Sequence, residues 1–116
     1  MAETPGKREM AAAEAVRLAD LIASQSGAVV SRTIVKAGGG TLTLFAFDAG
    51  QGLSEHAAPF DAVVSVLEGR AELTIGGKKV VAQAGESVLM PANIPHAVHA
   101  PQPMKILLIM VREAKG

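Results

Sequence analysis

The chain has no cysteine, no tryptophan and no tyrosine. The first absence excludes disulfides, thiolate metal centres, iron–sulfur clusters and a cysteine nucleophile. The other two leave Phe45, Phe47 and Phe60 as the whole aromatic complement, too little for a platform on which bases or sugars stack. An excess of one charge is lacking as well. Lysine and arginine total 11, aspartate and glutamate total 11, and the formal net charge is zero. Nothing electrostatic therefore points to nucleic acid or to an anionic membrane as partner. No window nears the roughly 18 unbroken apolar residues of a membrane span. The N-terminus lacks the basic start of a secretory signal, and Glu14 breaks the apolar stretch from Met10 to Val16. A cytoplasmic location is the expectation.

What is present is material for one core. The length of 116 residues suits a single domain. Hydrophobic residues make up 49% against 19% charged, which argues against global disorder. Alanine fills 21 positions, so Leu, Ile, Val and Met must supply the core volume.

Two textures divide the chain. Residues 1–9 are polar, contain Pro5 and Gly6, and are expected to fray. From Met10 to Ser24 strong helix formers predominate. Met10, Ala13, Leu18, Leu21 and Ile22 recur at three- and four-residue spacing, and Gly27 is placed to cap the end. This predicts a helical arm over 1–27 that must dock on something, followed by a β domain over 28–116.

In the second part short β-rich runs alternate with turn residues. Strands are expected at Ala28–Val35, Thr41–Phe47, Leu53–His56, Ala62–Leu67, Ala71–Ile75, Lys78–Ala82, Ser87–Met90, His96–Ala100 and Met104–Val111. Gly76-Gly77 is a two-residue hairpin signal. Many short, evenly spaced strands mean an antiparallel double-sheet sandwich or barrel, and no helices alternate with them as a parallel α/β sheet requires. Met104–Val111 and Ala62–Leu67 are apolar on both parities. Such strands need cover outside as well as a core inside, from the arm or from a second subunit, so a homodimer is expected.

The polar constellation is small. His56 ends one expected strand and His96 begins another, after Pro91-Ala92-Asn93-Ile94-Pro95. Either the two converge at one mouth of a barrel, or they are two surface or internally satisfied histidines. His99 has the opposite parity to His96 and should point outward, as should Glu55. Met90, Met104 and Met110 read as core filler first and pocket lining second.

These residues carry a resemblance. Gly50 through His56 to Val66-Leu67-Glu68-Gly69 resembles the first cupin motif. Gly85 through Pro91 to His96 resembles the second, with 15 residues between Gly69 and Gly85. Asn93 stands where the second motif usually has glycine, and Ala100 where it usually ends in asparagine. The resemblance spans about residues 30–112. It implies an all-β fold, a cupin-type antiparallel double-sheet barrel (jelly roll), often dimeric, with a metal or ligand pocket inside. It implies metal ligands at His56 and His96, with Ala58 and Ala62 at the positions of a second histidine and a glutamate. Asp61 or Gln51 is then the candidate additional ligand, and any divalent transition metal would be weakly bound. The expected function is small-molecule binding in a largely apolar pocket lined by His56, His96, Ala58, Ala62, Val64, Val66 and Val98. The alternative is a metal-dependent enzyme of dioxygenase or isomerase type on a two-histidine site.

Overall fold

The computed structural model describes residues 7–112. The first six residues of the expected frayed terminus lie outside the described residues. Ten strands are described: β1 (Lys7–Arg8), β2 (Val29–Ala37), β3 (Gly40–Phe47), β4 (Gly52–His56), β5 (Asp61–Glu68), β6 (Arg70–Ile75), β7 (Lys78–Gln83), β8 (Ser87–Met90), β9 (His96–His99) and β10 (Met104–Val111). They form two antiparallel sheets, one in the order β1-β2-β3-β10-β5-β8 and one in the order β4-β9-β6-β7. The all-β double-sheet expectation holds. No described helix is long and apolar enough to cross a membrane.

Local chemistry sets the turns. Gly76 and Gly77 both have positive φ, 56° and 83°, as a type I′ hairpin between Ile75 and Lys78 demands. Gly69 alone carries the chain from β5 in one sheet to β6 in the other. Its φ is 80°, and a Cβ there would collide with the Pro103 carbonyl oxygen.

The two sheets close on one core. Phe47, Val64 and Ile106 from the larger sheet meet Leu73, Ala82 and Val98 from the smaller. A second cluster sits on the outer face of the larger sheet, where Ile22 packs with Ile34, Leu44 and Leu107, flanked by Met10, Leu18 and Leu21. This explains why β10 is apolar on both faces: one faces the core and the other faces the arm.

The arm itself corrects the expectation of a helix from Met10 to Ser24. Only one 3-10 turn forms, Leu18–Leu21, and Ala13 has φ of 60°, outside the helical region. Residues Lys7–Arg8 are paired rather than frayed, forming an edge strand on β2, and the Glu9 amide donates to the Ile34 carbonyl. The physical reason is competition for the same groups. Lys105 Nζ donates to the Ala19 carbonyl at 2.8 Å, and Arg32 Nη1 to the Leu21 carbonyl at 2.7 Å. Burying Ile22 contributes about 1.5–3 kcal/mol, whereas an isolated helix of about 15 residues is marginal in water. The apolar stripe was legible; its helical period lost to docking.

The cover ends before the sheet does. Val35, Leu42, Ile109, Val63 and Leu89 lie in one register row across five strands. The first three pack against the outer cluster that holds Ile22, while Leu89 is 55% exposed and Val111, at the end of β10, 53%.

Arg32 is the main polar anchor of the arm, since its Nε also pairs with Glu9 Oε1 at 3.0 Å. Arg32→Ala should lower stability by about 1–2 kcal/mol, a fall of several degrees in melting temperature. Lys36→Ala is the control, and a melting curve for Arg32→Ala indistinguishable from it would show that Arg32 does not anchor the arm.

Candidate functional site

The site begins with one extra residue. Leu53 of β4 pairs with Val98 of β9, and His56 pairs with His96, so three steps along β4 match two along β9. Side chains alternate along a regular strand, which would put Leu53 and His56 on opposite faces. The β-bulge between them restores the inward direction, so both line the interior. Residues directly opposite on antiparallel strands share a face. The imidazoles of His56 and His96 accordingly meet edge to face, with ring centroids 4.5 Å apart.

Each ring is fixed from behind. His56 Nδ1 lies 3.0 Å from the Ser54 carbonyl, and His96 Nδ1 lies 3.2 Å from the Ile94 carbonyl. A carbonyl can only accept, so Nδ1 carries the proton in both neutral rings and Nε2 keeps its lone pair. His96 is 6% exposed, whereas His56 is open to solvent. The pKa of His96 is lowered, first by burial, then by the charge of His56; its bond to Ile94 opposes this in part.

The loop that delivers His96 is shaped by Asn93, whose φ is 64°. The second motif has glycine there because the backbone must turn left-handed, and asparagine is among the few other residues that tolerate it. The Asn93 amide donates to the Ala58 carbonyl at 2.7 Å, and the Ala92 amide to Asp61 Oδ1 at 2.8 Å. These bonds tie the loop before β9 to the loop before β5 and form one rim.

Inside the rim is a cavity of about 250 Å³. Of the residues expected to line it, His56, His96, Ala58, Ala62, Val64 and Val98 do; Val66 instead lies in the closed core, 2% exposed. Asp61 is exposed and its Oδ1 is engaged by Ala92, and neither Asp61 nor Gln51 lines the cavity. No group of three or more His, Asp or Glu side chains placed to hold an ion occurs among the described residues. His99 points outward as expected, 3.9 Å from Glu72, and Glu55 is exposed.

Of the methionines read as core filler before pocket lining, Met90 and Met110 line the cavity and Met104 lies in the core. Ile106 and Leu108 of β10 are walls the sequence did not single out, and the parity they share with Met110 was the signal that could have found them. Phe45 and Leu53 follow from their strands in the same way. Phe60 lies in the loop before β5, where no periodicity marks direction.

Residues 43–110 match the family model described as Cupin domain. A conserved Streptococcus pyogenes protein of unknown function is 30% identical, with a TM-score of 0.88 over 99% of this chain and 100% of that one. A cupin 2 conserved barrel domain protein from Leptotrichia buccalis is 39% identical, with a TM-score of 0.78; the match covers 81% of this chain and 46% of that one. A cupin superfamily protein from Desulfitobacterium hafniense has 23% identity and a TM-score of 0.86 over 92% and 98% of the two chains. Comparison with curated proteins gave no match.

The buried histidine makes stability depend on pH. Unfolding returns His96 to an ordinary pKa of about 6.5, above its lowered value in the fold. Between the two values the unfolded chain binds more protons, so stability rises with pH across that window and is lost as pH falls through it. Urea denaturation should therefore give a lower midpoint at pH 5 than at pH 7.5, and His96→Gln should flatten the difference. An equal pH dependence in both proteins would remove His96 as its source.

Proposed function

This chain belongs to the cupin family, and from that premise we propose that it is a small-molecule-binding barrel whose ligand is largely apolar with a polar group at the histidines. The observation that carries the reading is the cavity wall. Apart from His56 and His96 every lining side chain is apolar, which is the composition of a ligand pocket with a few orienting groups. A dry cavity of about 150 Å³ accepts benzene, so 250 Å³ suits one ring with a short substituent. With Nδ1 of each ring turned to a backbone carbonyl, the Nε2 lone pairs favour a ligand that donates a hydrogen bond, such as an alcohol or phenol.

The donor set does not fit a firmly held metal ion. Catalytic sites of this kind keep about three protein ligands, and here Ala58 and Ala62 line the cavity where the family resemblance puts the other two. A metal-dependent enzyme on two histidines is the second reading. The paired Nε2 atoms favour it, with water or the ligand completing the coordination.

Calorimetry with 4-ethylphenol separates a pocket from a void. Saturable binding is expected, at least tenfold weaker in Ala62→Phe, whose ring would fill the cavity; equal affinity in the two proteins would place the phenol elsewhere. In parallel, dialysis against EDTA should strip zinc from the protein with its circular dichroism unchanged. Ala58→His combined with Ala62→Glu should then raise zinc affinity by about 100-fold or more. Retention of a full equivalent by the unaltered chain would move the assignment to the metal reading.

We also propose that the chain self-associates at the uncovered end of the apolar row across the larger sheet, where Leu89 stays 55% exposed, because apolar surface left in water favours association. Light scattering should report twice the mass of 11.9 kDa, and Leu89→Lys should return it to the single-chain value. A single-chain mass for the unaltered protein at high concentration would remove the proposal.

A further inference from the structure

A cation stands at the mouth of the cavity, and the ligand reading does not use it. Phe60 lines the cavity, and the Arg112 guanidinium carbon lies 5.5 Å from the centroid of its ring. The Arg112 side chain is exposed, while its backbone amide donates to the Gly39 carbonyl at 2.9 Å. That bond fixes the point at which β10 hands the side chain to the rim.

Among the described residues nothing acidic takes the charge. None of the ion pairs among the described residues involves Arg112. The nearest acid by register is Asp61, opposite Val111 on β5, and its Oδ1 accepts from the Ala92 amide instead. A guanidinium that rests on an aromatic face keeps its in-plane N–H groups free. Those groups form a planar fork that matches a carboxylate in bidentate geometry.

We propose that the ligand is a hydroxylated aromatic carboxylate. Its hydroxyl donates to a histidine Nε2, its ring fills the apolar cavity, and its carboxylate stays at the mouth on Arg112. This rests on the ligand-binding reading above and adds the charge of the ligand and the residue that reads it. Arg112 and Phe60 then act together. Phe60 walls the ring of the ligand on the cavity side and holds the guanidinium at the rim, so that one aromatic side chain aligns both ends of the recognition.

Matched probes test the charge separately from the pocket. The acid 3-(4-hydroxyphenyl)propionate, its neutral amide and 4-ethylphenol share one ring and one hydroxyl. The acid should bind the unaltered protein at least tenfold more tightly than the amide. In Arg112→Gln the ratio of the two affinities should fall to about one, and in Arg112→Lys it should lie between. If acid and amide bind alike, or if Arg112→Gln leaves the ratio intact, the assignment of Arg112 is overturned while the pocket stands. If none of the three probes binds, the ligand reading itself falls and the assignment falls with it.

Discussion

Between Leu53 and His56, β4 holds one residue more than β9 holds between Val98 and His96. The site depends on that mismatch. With regular alternation, the histidine would turn to solvent on the outside of the smaller sheet, and His96 would face an apolar wall without a partner. With the bulge, two imidazoles share one face and meet at 4.5 Å. The tautomer of each follows from the backbone, because the carbonyls behind them can only accept. A pair of hydrogen-bond acceptors in an otherwise apolar chamber is thus the product of strand register rather than of a polar network.

The rest of the fold keeps that register in place. β9 is held between β4 and β6, and the loop before it is pinned by Asn93 and Ala92 to the rim opposite. On the far side of the barrel the larger sheet must bury both faces of β10. It does so with an arm whose carbonyls bond to Lys105 and Arg32 and whose apolar side chains fill the outer cluster. Outer cover and inner cavity therefore share the same strand: Leu107 packs against the arm while Ile106 and Leu108 line the cavity.

Much of this was legible in the sequence, for identifiable reasons. Short β runs cut by glycine and proline gave the strands nearly to the residue, because turn chemistry is local. Position within the two motifs brought His56 and His96 together. The double apolar parity of Met104–Val111 announced a strand covered on both sides. The failures share one cause, tertiary competition that no local pattern encodes. The helical period of Met10–Ser24 gave way to a docked, extended arm with one 3-10 turn. Val66 sits in the closed core rather than at the cavity wall. Asp61, one residue from a position the motif assigns to a ligand, spends its carboxylate on a backbone amide. Phe60 and Arg112 were not singled out because their roles arise from a loop and a strand end that meet only in the folded chain.

What the cavity offers chemically is narrow: apolar walls, two lone pairs within, and a guanidinium outside. On the binding reading proposed above, that combination orients a ligand whose donor meets Nε2, which requires the proton of each neutral ring to sit on Nδ1. Long-range nitrogen–proton correlation spectra of the histidine side chains, recorded on the ligand-free protein at pH 7.5, test this directly. The account predicts that His56 and His96 both show the pattern of a protonated Nδ1 and an unprotonated Nε2. A protonated Nε2 on either ring would contradict it, since the chamber would then present a donor where an acceptor is required.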